Sequence, residues 1–301
     1  MASGTCPLCK KDCQLVISHL IPKFVINSLK TKSRLRSQES PNKRVQDGKK
    51  SPLLCSSCEE LLSAWERSAH KDIFLPLSDS SRVIDQIQYG PWALKFAVSV
   101  SWRVLLHHFS QYGLPCLTNG QRAKANEALE TWRRFLLGEL PNPGQFEQHL
   151  LPLNLIAQYH GLNISPFMNR YIMLTLDMAI LYSDRSVTIY TKMGNILLFG
   201  LVQKYAANRW KGTKLHVNSG SIGIPGTYVI PTEILEFINE RANKAASLLA
   251  SLSDKQRKTI RNAIIQDIDR IADSDIFLAM QHDLLCSGKE AFRVTESCKQ
   301  S

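Results

Sequence analysis

Two closely spaced cysteine pairs are the residues of this sequence whose types and spacing most directly indicate a chemistry. Cys6-Pro-Leu-Cys9 and Cys55-Ser-Ser-Cys58 both have C-x2-C spacing, in which a tight turn lets two thiolates bind one metal ion. Four thiolates are the ligand set of a closed, tetrahedral structural zinc site. We therefore predict that these four cysteines bind a structural Zn²⁺ ion, which helps to fold the N-terminal segment.

Other interpretations of the cysteines are open at this stage. The four thiols could be reduced and unrelated in space, or one pair could be a redox pair. Cys13 could replace Cys9 as a ligand, although its C-x3-C spacing fits a zinc site less well. The remaining cysteines have no near partner in the sequence and are interpreted as ordinary thiols: Cys116, Cys286 and Cys298.

The formal net charge is +11, and more than half of it lies between residues 23 and 50. Only Glu39 and Asp47 oppose the basic residues of this segment, which are Lys23, Lys30, Lys32, Arg34, Arg36, Lys43, Arg44, Lys49 and Lys50. Such a concentration binds backbone phosphates, because each neutralised phosphate releases condensed counterions. We predict nucleic acid as the partner, with DNA favoured over RNA; the alternative is a solvated basic loop.

Apolar runs of the sequence are too short or too interrupted to indicate a membrane protein. The start, MASGTCPLCKKD, has no apolar stretch that could serve as a signal peptide. The longest apolar run, WALKFAVSVSWRVLLHHF, contains Lys95 and Arg103. We therefore expect a cytoplasmic protein without a membrane partner, in a reducing compartment where paired cysteines bind metals rather than form disulfides.

Composition divides the chain into a zinc-binding module over residues 1–78, a helical segment over 79–160 and an α+β body over 161–301, although 79–301 could be one domain. Helical spacing of apolar residues extends over YGPWALKFAVSVSWRVLLHHF and NGQRAKANEALETWRRFLLGEL. Short apolar runs in RYIMLTL, MAILYS, SVTIYT and ILLFGLVQ predict an antiparallel meander. Three helices are predicted after residue 230. The fold class is therefore expected to be α+β.

A histidine between the cysteine pairs adds a second possible chemistry. His19 stands in a short β-favouring run that ends in Pro22, and the segments CPLC, SHLIP and LLCSSCE together resemble the HNH endonuclease family. The resemblance covers residues 6–66. It implies a treble-clef zinc scaffold, a catalytic His19 that acts as general base, and a divalent ion, Mg²⁺ or Mn²⁺, bound in part by Glu59.

Three positions depart from the pattern of that family. An acidic residue usually precedes the histidine, an asparagine precedes the second cysteine pair, and a histidine follows that pair; here these positions hold Ser18, Lys50 and Glu59. Glu59 can replace an imidazole as a ligand for a hard metal ion. Asn42 or Asp47 could supply what Ser18 and Lys50 do not. His19 itself could instead contact the zinc site or be a packing residue.

Three functional hypotheses follow from these features. The first is an HNH-like, metal-dependent nuclease, and the family resemblance suggests a role in phage defence. The second is a zinc module that binds nucleic acid or a protein without cleaving it. The third places the main activity, or the contact with a protein partner, in the C-terminal body.

Overall fold

The structure is a computed structural model that describes residues 2–32, 42–43, 47–78, 86–156, 164–204, 209–223, 228–266 and 274–292. It separates into two compact units. Unit 1 comprises Met1–Ile26, Gly48–Pro152 and Leu176–Val229, and unit 2 comprises Asn27–Asp47, Leu153–Thr175 and Ile230–Ser301. The boundaries expected near residues 78 and 160 adjoin stretches outside the described residues, so the division predicted from composition stays a prediction.

Runs of strands and runs of helices follow one another along the described part of the chain, and the strand pairs described there are antiparallel, as expected for the α+β class. The strands are β1 (Ala2–Thr5), β2 (Asp12–His19), β3 (Lys50–Cys55), β4 (Gln86–Tyr89), β5 (Gln148–Pro152), β6 (Leu176–Ser183), β7 (Ser186–Met193), β8 (Ile196–Gln203) and β9 (Gly220–Gly223). The helices are α1 (Lys23–Lys32), α2 (Ser56–Ala69), α3 (Leu75–Ser78), α4 (Trp92–Tyr112), α5 (Asn119–Leu136), α6 (Met168–Leu174), α7 (Thr232–Ala250), α8 (Asp254–Gln266) and α9 (Asp275–Ser287). A π-helical turn, His70–Phe74, joins α2 to α3, and a 3-10 turn, Gly288–Phe292, follows α9.

The N-terminal module of unit 1 is a three-stranded antiparallel sheet in the order β1-β2-β3, followed directly by α2. Strand β2 pairs with β3 so that Ser18 lies opposite Ser51 and His19 opposite Lys50. A register shift between Val16 and Ile17 interrupts this ladder. The turn between β1 and β2 carries the first cysteine pair, and the junction of β3 and α2 carries the second.

Helix α4 is the buried centre of unit 1. It packs against α2, α5 and the strands of the four-stranded sheet. Most of its residues from Ala93 to Leu105 are buried on every side of the helix, in agreement with its nearly continuous apolar sequence. The helix begins after Pro91 and ends at Gly113, whose φ of 58° is one that glycine adopts without strain.

The predicted meander is present as an antiparallel sheet in the order β5-β8-β7-β6. Strands β7 and β8 are buried over almost their whole length, so their apolar runs are continuous rather than alternating. The first strand predicted for the meander, RYIMLTL, is instead mostly the short helix α6, and that prediction was wrong. Strand β5 takes the edge position beside β8.

Unit 2 is helical in the residues described. Helix α6 packs against α7 and α9. The buried carboxylate of Asp283, in α9, accepts hydrogen bonds from the backbone N–H groups of Asn169 (2.7 Å) and Arg170 (3.4 Å) in the first turn of α6. No helix within the described ranges is long and apolar enough to cross a membrane.

Candidate metal centre and the histidine beside it

The four predicted ligands come together in the structure. One sulfur atom from each of Cys6, Cys9, Cys55 and Cys58 lies within 4.8 Å of all the others. The Sγ atoms of Cys9 and Cys55 are 3.8 Å apart, the spacing of about 3.8 Å that a tetrahedron with Zn–S bonds of about 2.3 Å requires. The set can therefore hold a metal ion such as zinc, and the interpretation of four thiols unrelated in space was wrong.

Local structure explains why these sulfurs converge. The first pair lies in the turn between β1 and β2, and this turn is closed by hydrogen bonds between the backbones of Cys6 and Lys10 (2.8 Å) and of Cys6 and Lys11 (2.9 Å). The second pair spans the junction of β3 and α2, where the backbone N–H of Cys55 donates to the Cys6 sulfur at 3.4 Å. The two turns therefore present their thiols to a common point.

Electrostatics within the cluster differ from one thiol to another. Burial alone would raise the pKa of the Cys55 thiol, but hydrogen bonds from the Ser57 hydroxyl and the Cys58 backbone lower that pKa to about 6. Burial raises the pKa of Cys58, and close contacts with the other thiols add to the effect. Because metals bind thiolates, Cys55 is the thiol of this pair best prepared to bind a metal ion at neutral pH.

Cys13 takes no part in the cluster, so the alternative in which it replaces Cys9 was also wrong. Its sulfur lies 3.8 Å from the backbone oxygen of Gly4, across the hairpin. Cys116 and Cys286 are likewise absent from the set of ligands, and Cys298 lies outside the described residues.

His19 is the last residue of β2 and is half-buried. The hydroxyl of the preceding residue, the fully buried Ser18, donates a hydrogen bond of 2.6 Å to Oε2 of Glu59. Glu59 lies in the first turn of α2, directly after Cys58 of the cysteine cluster. The structure therefore links the residue beside the histidine to the carboxylate that the sequence singled out.

Arg103 of the central helix holds the end of β2 in place. Its guanidinium, 1% exposed, donates from Nη1 to the carbonyl oxygen of His19 (2.8 Å) and from Nη2 to Oε1 of Glu66 in α2 (2.6 Å). The backbone N–H of Leu20 donates to the carbonyl oxygen of Lys49 at 3.0 Å. Both polar atoms of the His19–Leu20 peptide are therefore fixed.

A second arginine bonds to the turn that carries Cys6 and Cys9. Nη1 of Arg133, in α5, donates to the carbonyl oxygen of Leu8 at 3.2 Å, and Nη2 pairs with Glu130 at 2.8 Å and Glu139 at 3.3 Å. Leu8 is fully buried and lies between Cys6 and Cys9, so its bond to Arg133 connects the turn that carries these cysteines to helix α5.

The predicted basic residues do not all fall in one unit. In unit 1, Lys23, Lys49 and Lys50 are exposed, and Lys49 and Lys50 lie on the chain directly across from Leu20 and His19. In unit 2, Lys43 is exposed, Lys30 is half-buried and Lys32 ends α1. Three further predicted residues, Arg34, Arg36 and Arg44, lie outside the described residues.

The two residues proposed to complete the histidine site both belong to unit 2. The side-chain oxygen of Asn42 accepts a hydrogen bond of 2.9 Å from the backbone N–H of Ser253. Asp47 is half-buried at the end of the basic segment. The suggestion that Asn42 or Asp47 completes the site at His19 therefore stays a prediction.

The sequence did not reveal Arg103 as part of this site, although it carried one indication. A charged residue within an otherwise apolar, buried helix must find polar partners, because an unpaired buried charge is unstable. Arg103 is such a residue, but only the fold identifies its partners as His19 and Glu66. Comparisons with known proteins add no name to the site: no family model, no curated protein and no solved structure matches this chain.

Proposed function

We propose that this protein is an HNH-like, metal-dependent nuclease that hydrolyses nucleic-acid phosphodiester bonds at His19. One observation carries the proposal: the hydrogen bond between Ser18 and Glu59, which brings the strand end bearing His19 to the helix start bearing the carboxylate. A histidine and a carboxylate presented by a cysteine-bound hairpin and helix are the parts that such a reaction needs.

The reaction assigns one role to each residue. His19 accepts a proton from a water molecule, the water oxygen forms a bond to phosphorus, and the bond from phosphorus to the leaving oxygen breaks. The leaving oxygen takes up a proton from solvent. Exposed Lys49 and Lys50, across from the end of β2, attract the phosphate backbone.

The cysteine cluster and Glu59 fit two different metal ions. Four thiolates suit a structural zinc ion, which would join the β1–β2 turn to α2. Glu59 has a second oxygen, Oε1, beside the one bonded to Ser18, and one carboxylate with water and substrate phosphate is a common ligand set for Mg²⁺ or Mn²⁺. Such an ion, when bound, stabilises the negative charge that develops on the phosphate.

Glu59 and its neighbour Glu60 allow a matched test. We expect the purified protein to cleave plasmid DNA, single-stranded DNA or RNA in Mn²⁺ or Mg²⁺, with a rate that Glu59→Gln lowers by about 100-fold or more. Glu60→Gln, which changes an exposed carboxylate one residue further along α2, should leave the rate within about twofold. Equal rates for the two variants would remove Glu59 from the mechanism.

A second candidate function is binding without cleavage. It is favoured by Ser18 and Lys50, which stand where the family has an acid and an asparagine. In that case no substrate would be cut in either metal, while affinity for DNA would still fall steeply with rising salt. A wild-type protein that binds DNA in a salt-dependent way but cleaves no substrate would therefore be a binding module and not a nuclease.

A further inference from the structure

Arg103 is the buried charge of unit 1 that connects the two elements of the candidate site. It projects from the central helix α4, whereas His19 lies on β2 and Glu66 on α2. Helix α2 also carries Glu59, two turns before Glu66. The guanidinium therefore bonds at the same time to the strand that carries the histidine and to the helix that carries the carboxylate.

The guanidinium of Arg103 donates hydrogen bonds to three different elements. Nε donates to the Ser99 carbonyl at 3.3 Å within its own helix, Nη1 to the His19 carbonyl at 2.8 Å, and Nη2 to Glu66 at 2.6 Å. Three donors in one plane fix the orientation of the group as well as its position. A lysine has the same charge but no planar set of donors, and it cannot reproduce this arrangement.

The bond to the His19 carbonyl acts on the imidazole through the backbone. With the oxygen of the His19–Leu20 peptide held by Arg103 and its N–H held by Lys49, rotation of that peptide plane is blocked. The Cα of His19 belongs to this plane, so these two bonds hold the point from which the side chain leaves the strand.

We propose that Arg103 is a positioning residue for catalysis, which fixes the imidazole of His19 relative to Glu59 without touching the substrate. The proposal rests on the proposed nuclease function. Misplacement of a catalytic group by about 1 Å can cost about 100-fold in rate, so Arg103→Lys should lower kcat by about 10- to 100-fold. KM should stay within about twofold, since Arg103 is buried and the proposal gives it no contact with substrate.

Removal of a different charge from the same helix, in Lys95→Met, provides the control. Lys95 is also a partly buried cation of α4: its Nζ donates to the Phe135 carbonyl of α5 at 3.2 Å and lies 5.2 Å from the centre of the Trp65 ring of α2, whereas Arg103 bonds to the His19 carbonyl itself. We expect Lys95→Met to leave kcat within about twofold, although it removes a charge that Arg103→Lys keeps. Equal losses of kcat in the two variants would show a general effect of disturbing α4 and would overturn the proposal.

A second readout does not depend on activity. In protein labelled on its eight histidines, the ring resonance of His19 can be assigned as the signal missing from His19→Ala. Arg103→Lys should shift or broaden this resonance, and Lys95→Met should leave it unchanged. If Arg103→Lys fails to fold, Glu66→Gln provides a second variant. It weakens only the hydrogen bond that Nη2 of Arg103 donates to Glu66, and it should shift the same resonance and lower kcat.

The two readouts separate failure of this inference from failure of the proposed function. If the wild type cleaves nothing but the His19 resonance moves in Arg103→Lys, the nuclease function is wrong while Arg103 still orients the ring. If the wild type cleaves and Arg103→Lys changes neither kcat nor the resonance, the positioning role is wrong and the nuclease function stands.

Discussion

At the scale of single residues, the four cysteines do the most to define the N-terminal module. Their sulfurs meet within 4.8 Å although the two pairs are separated by a strand, a helix and the basic segment. The module is small, and its exposed Ile17 and half-buried strands show that its apolar core alone is limited. We therefore expect that a metal ion bound by these cysteines contributes to the free energy of folding of the module.

Cysteine substitutions test the metal ligands against a close control. We expect wild type and Cys13→Ser to contain about one zinc ion per chain, and Cys55→Ser to contain almost none and to unfold at lower denaturant concentration. Cys13 is the control because its sulfur faces the Gly4 carbonyl outside the cluster. Elemental analysis measures the zinc; a Cys13→Ser protein without zinc, or a Cys55→Ser protein with it, would contradict this assignment.

The sequence predicted those residues whose partners are recognisable by type and spacing. The cysteine pairs were found because the C-x2-C spacing lies within four consecutive residues and can be recognised directly in the sequence. Ser18 was recognised only as a departure from the family pattern, and no feature of the sequence indicated that its hydroxyl donates to Glu59. That bond depends on how β2 packs against α2, which no local pattern encodes.

At the scale of elements, the candidate site is positioned by one strand end, one helix start and one buried helix. Strand β2 carries His19, α2 carries Glu59, and α4 supplies Arg103, which bonds to both elements. Because Arg103 is 1% exposed and Glu66 is 17% exposed, their ion pair is largely shielded from solvent. Removing one partner of such a pair leaves a buried charge without compensation.

Stability measurements distinguish this pair from surface pairs. Glu66→Ala should lower the free energy of unfolding by about 3–5 kcal/mol, because it strands the Arg103 charge. Glu130→Ala should cost at most about 1 kcal/mol, since Glu130 is 53% exposed and pairs with Arg133 near the surface. Denaturant unfolding of both variants measures the difference. Similar losses of free energy of unfolding in the two variants would mean that the buried Arg103–Glu66 pair stabilises the fold no more than a surface pair does.

Helices and strands were predicted correctly where an apolar pattern extends over many residues. The prediction failed where contacts with distant residues determine the local structure. Helices α4 and α5 and strands β6, β7 and β8 were predicted because their apolar patterns extend over many residues. The strand predicted at RYIMLTL is helix α6, whose first turn is capped by the Asp283 carboxylate from a helix more than a hundred residues away. A local pattern cannot contain that partner.

At the scale of the whole molecule, buried histidines tie the stability of unit 1 to pH. Burial lowers the pKa of His149 to about 4, although the nearby Glu147 opposes the shift. Burial, His107 and the charge of Lys49 together lower the pKa of His108 to about 4. In the unfolded chain a histidine takes up its proton near pH 6.5, so protons bind the unfolded state first as pH falls. Stability is therefore lost between about pH 6.5 and pH 4.

Replacement of His149 should reduce that loss. Between pH 7 and pH 4.5 we expect the free energy of unfolding to fall by about 2 kcal/mol less in His149→Asn than in wild type. An asparagine can keep the bond that Nδ1 of His149 shares with the Thr213 hydroxyl at 2.8 Å. Any effect of acid on the cysteine cluster is the same in both proteins and cancels in the comparison. Identical pH dependence in the two proteins would rule out His149 as a source.

Cleavage by the His19→Ala variant tests the central claim most directly. The measurement is the rate of plasmid DNA cleavage in Mn²⁺ by wild type, by His19→Ala and by His216→Ala, an exposed histidine of the same unit, each with its zinc content verified. The proposed mechanism predicts that His19→Ala is slower than wild type by about 100-fold or more, while His216→Ala matches wild type. A His19→Ala protein that retains its zinc and cleaves at the wild-type rate would contradict the assignment of His19 as the general base.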